Sequence, residues 1–116
     1  MFKKEIKSFG DAMNGLLLFF KTEWHARLHL LAVVVVTIAG FYFEINSGEW
    51  VAVLIAFALV IGSELLNTAI EKLCDFVQPE NHSSIRQIKH ISAGAVLFSA
   101  VIALIIACII FIPKII

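Results

Sequence analysis

Charged residues are scarce in this chain: they make up 16% of 116 residues, against 60% hydrophobic, and the mean hydropathy is +0.95. A soluble domain of ordinary composition, in which about 25% of residues are charged, is excluded; the solvent is lipid. No excess of one sign exists either. Nine Lys and Arg offset nine Asp and Glu, which excludes a basic footprint for nucleic acid and a strongly acidic tail. The two cysteines, Cys74 and Cys108, fall in separate predicted helices without CxxC or Cys/His spacing. Neither a disulfide framework nor a zinc site is indicated, and both read as small apolar packing residues. No GxxxxGK[ST] or GxGxxG occurs, so any nucleotide must be held in another way. An uninterrupted apolar stretch with a cleavage site is also missing at the N-terminus, because charges from Lys3 to Arg27 break it up; this segment is expected to stay on the mature protein. No internal repeat or second domain is visible, and residues 1–116 read as one domain.

What the chain does have is apolar runs of membrane-spanning length. Before the first of them, Phe2, Ile6, Phe9, Met13, Leu16 and Phe20 recur in steps of four and three, with Lys3, Lys4, Lys7, Asp11 and Asn14 between them. That pattern predicts an amphipathic helix over 2–26 lying in the membrane interface. Three transmembrane helices are then predicted over 28–45, 50–72 and 91–112. Turn residues at 44–49 separate the first two, and Trp50 stands where an interfacial anchor is expected. Pro79 interrupts the second helix, Ser83 or Ser84 is suited to cap the third, and Pro113 with Lys114 is expected to end it.

Five Lys and Arg precede the first span, none lies between the first two, three lie between the last two and one follows the third. The positive-inside rule therefore predicts a cytoplasmic N-terminus and 72–90 loop, with the C-terminus outside. An all-α subunit of one surface helix and three spans encloses little volume, which points to a homo-oligomer with sites between subunits.

The chemistry concentrates on the second span. Glu64, Asn67, Glu71 and Asp75 are spaced by three, four and four, so at about 100° per residue they project within roughly an 80° arc. A carboxylate in the apolar layer is costly unless paired, protonated or bound to a cation, which makes an intramembrane acid a functional candidate. Glu64 lies deepest, between Leu59-Val-Ile-Gly-Ser63 and Leu65-Leu66, while Asp75 is expected near the surface. The structural alternative is interhelical glue, with Asn67 bonded across an interface and Glu71 paired with Arg27 or Lys89. Against it stands the surplus of acids, which with Glu23 suits a hard divalent cation such as magnesium. Magnesium at a membrane boundary suggests phosphates. The loop Glu80-Asn-His82 and the pair Lys89-His90 offer a cation and polar groups for a nucleotide.

The segment Ser63-Glu-Leu-Leu-Asn-Thr-Ala-Ile-Glu71, then Asp75, Pro79-Glu-Asn-His82, and Lys89 ahead of Ser92-Ala-Gly-Ala-Val96 resembles the bacterial integral-membrane diacylglycerol kinase and undecaprenol kinase family. The likeness spans essentially the whole chain and includes the upstream Lys21-Thr-Glu-Trp24. It implies a homotrimer in the bacterial plasma membrane that transfers the ATP γ-phosphate to a lipid hydroxyl at the cytoplasmic surface, with magnesium as cofactor. By the same resemblance Glu64 would be the general base, meeting the lipid together with Asn67. Glu23 and Glu71 would ligate the metal; Lys4, Asn67, Glu80, His82, Lys89 and His90 would complete the ATP site. Two positions depart from the family pattern: His90 stands where an aspartate is usual after the lysine, and Asp11 where an uncharged or aromatic residue is expected. Diacylglycerol and undecaprenol remain open as acceptors. A second reading, from a different class, is a non-catalytic membrane protein, either an inactive kinase relative or a small oligomeric ion conductor.

Overall fold

The computed structural model of the chain describes residues 2–116, and all of its regular structure is helical. Helix α1 covers Phe2–Thr22, α2 Trp24–Tyr42, α3 Ser47–Val77 and α4 Ser83–Ile115. Three of these, α2, α3 and α4, are long and apolar enough to cross a membrane. At about 1.5 Å per residue, the 31 residues of α3 exceed the roughly 30 Å of a bilayer's hydrocarbon core, so its polar end reaches beyond the apolar layer.

The helix termini have local causes. Glu23 leaves helical geometry at φ −103° and ψ 123°, so the helix expected over 2–26 divides there. The reason lies in side chains that reach backwards: Thr22 Oγ1 donates to the Leu18 carbonyl, and the Arg27 guanidinium donates to the carbonyls of Phe20 and Lys21. The last carbonyls of α1, which a helix end leaves without partners, are thereby satisfied. Helix α3 begins three residues before Trp50 because Asn46 and Glu49 form a reciprocal capping box, with bonds of 2.9 and 3.0 Å.

At the start of α4 the cap is His82, whose Nδ1 accepts from the Ser84 N–H at 3.1 Å. Ser83 and Ser84 are instead the first helical residues, a correction to the serine cap expected from sequence. Pro113 does not end α4, which runs on to Ile115. A proline removes one N–H donor, but the Ile116 N–H still reaches the Ile112 carbonyl at 3.1 Å and closes another turn.

Helices α3 and α4 form the main pairing, with α2 leaning more lightly on α3 and α1 meeting α2. Ile45, Val53 and Ile110 are buried together, with Val36, Phe43, Trp50, Phe57, Ile106 and Phe111 packed around them. This cluster holds the end of the bundle remote from the acidic stripe. Lys114 closes it by pairing with Glu49 at 3.0 Å. The assembly measures 51 × 43 × 22 Å, and among the described residues no large side chain is fully buried. Such a thin layer with leucines, valines and isoleucines exposed on α2, α3 and α4 is a surface for lipid tails or further chains.

Candidate active site

Of the four polar residues on the α3 stripe, the structure buries two, Glu64 and Asn67, each 7% exposed, and leaves Glu71 and Asp75 exposed. Burial follows the helix: the stripe faces neighbouring helices at Glu64 and emerges toward the loop at Asp75. Thr68, which lines a groove against α1, and Ser92 on α4 are also buried polar residues.

Asn67 Nδ2 donates to Glu71 Oε1 at 3.1 Å, an i to i+4 bond along the helix rather than across an interface. Its Oδ1 is buried with no hydrogen-bond partner. An orphaned acceptor inside a packed region is costly and asks for a donor or a cation. Glu71 pairs with neither Arg27, which is turned to the α1 carbonyls, nor Lys89, which is ion-paired with Asp75.

Glu23, at the break between α1 and α2, reaches α3 through Lys72, 3.7 Å from its carboxylate and next in sequence to Glu71. Among the described residues no three His, Cys, Asp or Glu side chains gather to hold a metal. The donors that are present nevertheless fit magnesium in kind: two carboxylates and the free amide oxygen of Asn67 are all hard oxygen ligands, and magnesium commonly keeps several waters and substrate phosphates.

The loop between α3 and α4 encloses a second group. Glu80, His82, Lys89 and His90 all line a cavity of about 370 Å³, together with Gln78, Asn81 and Arg86. The short connection over 78–82, with its bend at Glu80, and the His82 cap bring residues from both helix ends around it. Asn81 belongs to the Glu80-Asn-His82 loop named from sequence, whereas Arg86 was not singled out there; its signal was its place in the polar 78–90 stretch. Lys4 is exposed near the start of α1 and lines neither this cavity nor the apolar one between the spans.

Another residue passed over in the sequence is His29, inside the first apolar run. Its Nε2 lies 3.5 Å from Glu64 Oε2. Below it, an apolar cavity of about 260 Å³ opens between α2, α3 and α4, with His29 in its wall beside Val33, Ala56, Val60 and Ala103.

A bundle of apolar helices with a buried carboxylate, an adjoining oxygen-rich face and a polar loop cavity defines an integral membrane protein with a built polar site. The family model described as prokaryotic diacylglycerol kinase matches residues 10–111. Over 108 residues the chain is 37% identical to the undecaprenol kinase of Bacillus subtilis (strain 168), covering 93% of this chain and 88% of that one. It is 28% identical to the diacylglycerol kinase of Escherichia coli (strain K12), with the same coverage. The diacylglycerol kinase of Synechocystis sp. (strain ATCC 27184 / PCC 6803 / Kazusa) is 30% identical over 107 residues, which span 91% of this chain and 61% of that protein. The chain belongs to the prokaryotic diacylglycerol kinase family. It is a lipid kinase of the bacterial membrane, and family membership favours catalysis over the non-catalytic reading.

Proposed function

We propose that this chain transfers the γ-phosphate of ATP to the hydroxyl of a membrane lipid alcohol, diacylglycerol or undecaprenol, at the cytoplasmic face, as a magnesium-dependent homotrimer. The observation that carries the reading is Glu64, a carboxylate buried in an apolar helix wall with the Asn67–Glu71 pair one turn further on. Counting from Trp50, Glu64 lies roughly 21 Å and Glu71 roughly 32 Å along α3. With Trp50 at the outer interface, the stripe would lie against the opposite boundary, where a lipid hydroxyl meets an aqueous nucleotide. This orientation agrees with the distribution of Lys and Arg, which supports a cytoplasmic N-terminus and 72–90 loop with the C-terminus outside.

In the proposed reaction the lipid hydroxyl docks at Glu64, which takes its proton while the hydroxyl oxygen forms a bond to the γ-phosphorus. The bond from that phosphorus to the β–γ bridging oxygen breaks, and ADP leaves with its electron pair. Asn67 orients the hydroxyl and supports Glu71. Glu23, Glu71 and the Asn67 amide oxygen would hold magnesium, which when bound neutralises phosphate charge. Lys89 would contact phosphate, and Glu80, His82 and His90 would line the nucleotide site, to which Lys4 from α1 would add a further cation. Most of the acceleration then comes from positioning and charge neutralisation, as phosphoryl transfer allows.

The exposed apolar faces of α2, α3 and α4 support association, and a trimer would complete a site that one thin subunit leaves open. The test is purified protein with radiolabelled ATP and a panel of lipid alcohols, with and without magnesium. Label should appear in a phosphorylated lipid only with the metal present. Transfer to no lipid alcohol, by protein that is folded, would overturn the reading; comparing turnover on diacylglycerol and undecaprenol assigns the acceptor.

A further inference from the structure

We propose that His29 is a positioning residue that holds the Glu64 carboxylate in its reactive orientation. The inference rests on the reading of Glu64 as the proton acceptor and adds to it the group that fixes its geometry.

Glu64 is buried, and an unpartnered buried carboxylate is costly. Each of the cations near the acids is committed elsewhere: Lys72 to Glu23, Lys89 to Asp75, Lys114 to Glu49, and Arg27 to the carbonyls that end α1. Asn67, one turn along, donates an amide hydrogen to Glu71 rather than to Glu64. What remains within ion-pair reach of Glu64 among the described residues is His29, 3.5 Å away across the α2–α3 interface. From its own helix, His25 and Arg27 are exposed.

The local sequence explains why the imidazole reaches. Ala26, three residues before His29 and on the same helix face, is 0% exposed, so this face of α2 is turned into the packed interior. His29 is half-buried and is the polar member of the wall of the apolar cavity below, whose other residues are Ala, Val, Leu, Ile and Phe. An N–H at Nε2 is available in one neutral tautomer and in the cation. Directed at Oε2, it leaves Oε1 free to meet a hydroxyl and stops the carboxylate from turning into the bundle. This is the task performed by groups that orient a catalytic base without touching substrate.

The experiment compares wild type with His29→Leu, His29→Gln, Glu64→Gln and the His29→Leu/Glu64→Gln double variant. Each is purified, checked for helicity and oligomeric size, and assayed for kcat and KM with ATP and the lipid alcohol. His29→Leu should lower kcat about 10- to 100-fold, the usual range for losing an orienting partner, with KM for ATP within about twofold. His29→Gln, which keeps an N–H near the same place, should recover most of the loss. In the Glu64→Gln background His29→Leu should add little, because residues acting as a unit are not additive. Unchanged kcat in His29→Leu, or an equal loss in both backgrounds, would overturn the proposal. Full activity in Glu64→Gln would remove Glu64 from proton transfer and with it any role in positioning Glu64, whereas an inactive Glu64→Gln with an active His29→Leu would sink only the positioning. Should His29→Leu fail to fold, ¹⁵N spectra of histidine-labelled Glu64→Gln decide: the His29 Nε2 resonance should move relative to wild type while His25, His82 and His90 stay. An unmoved His29 signal would overturn the contact.

Discussion

Lys89, near the start of α4 and in the wall of the polar loop cavity, is ion-paired with Asp75, near the end of α3. The cation assigned to phosphate in the proposed reaction is thus already held by an acid. Both side chains are substantially solvated, so the pair adds little to stability and is available for exchange with a more highly charged partner. Lys89→Ala should raise KM for ATP by about tenfold or more, the order of one lost charge-assisted contact. Asp75→Asn should leave the thermal midpoint within about 2 °C of wild type. Steady-state kinetics and thermal denaturation of the two variants check this; a Lys89→Ala enzyme with wild-type KM takes the lysine out of the nucleotide site.

Glu64→Gln keeps the volume and hydrogen-bonding capacity of the buried side chain while removing its ability to take a proton. Turnover should fall by about two to four orders of magnitude, with nucleotide affinity nearly unchanged because Glu64 is not among the residues lining the loop cavity. Rapid-quench measurement of lipid phosphate formation, beside equilibrium binding of an ATP analogue, separates the two effects. Near-full turnover in this variant would exclude proton transfer by Glu64.

Glu23 stands at the break between α1 and α2 and Glu71 on α3, joined in the structure by Lys72 beside Glu71. If both ligate one magnesium, Glu23→Gln and Glu71→Gln should each raise the metal concentration needed for half-maximal activity, and each should weaken ATP binding in parallel. Magnesium titrations at fixed ATP provide the comparison. A shift in one variant with none in the other would divide the shared site.

Much of this arrangement is local in origin and was legible for that reason. The three apolar runs and the spacing of Glu64, Asn67, Glu71 and Asp75 are properties of single helices, and periodicity reports them directly. The Asn67–Glu71 bond is the i to i+4 contact that this spacing permits. What periodicity does not contain is a side chain reaching out of its own helix. Arg27 folding back on the α1 carbonyls sets the break at Glu23, and the loop geometry gives the α4 cap to His82 rather than to the serines after it. The partnership of His29 with Glu64 depends on how α2 crosses α3; in the sequence His29 is one polar residue in an apolar run. The coming together of Glu80, His82, Lys89 and His90 around one cavity was foreshadowed by the polar stretch, yet its shape depends on the bend at Glu80 between the two helices.

Gly40 lies against the indole of Trp50 near the end of α2, and it is required there for space. A Cβ at position 40 would stand 2.6 Å from Trp50 Cη2, 2.8 Å from Cζ2 and 3.2 Å from Ile45 Cδ1. The indole is not free to swing away, because Phe41 packs on it with ring centroids 5.0 Å apart, and Ile45 belongs to the buried cluster. Two effects of Gly40→Ala oppose each other. Alanine is the better helix former by about 0.5–1 kcal/mol, whereas forcing a methyl group into a packed contact costs about 1–3 kcal/mol. The clash should win, lowering the thermal midpoint in detergent or bicelles by a few degrees. Trimming the opposing ring decides whether that contact is the cause. In a Trp50→Leu background, Gly40→Ala should become neutral or stabilising, since the steric penalty is gone and the helical gain remains. A double-mutant cycle on the thermal midpoints measures the coupling between the two positions. The site lies at the opposite end of the bundle from Glu64, so kcat at a temperature where both proteins are folded should be unaffected. Additive effects of the two substitutions would show that the glycine is not there to accommodate the indole.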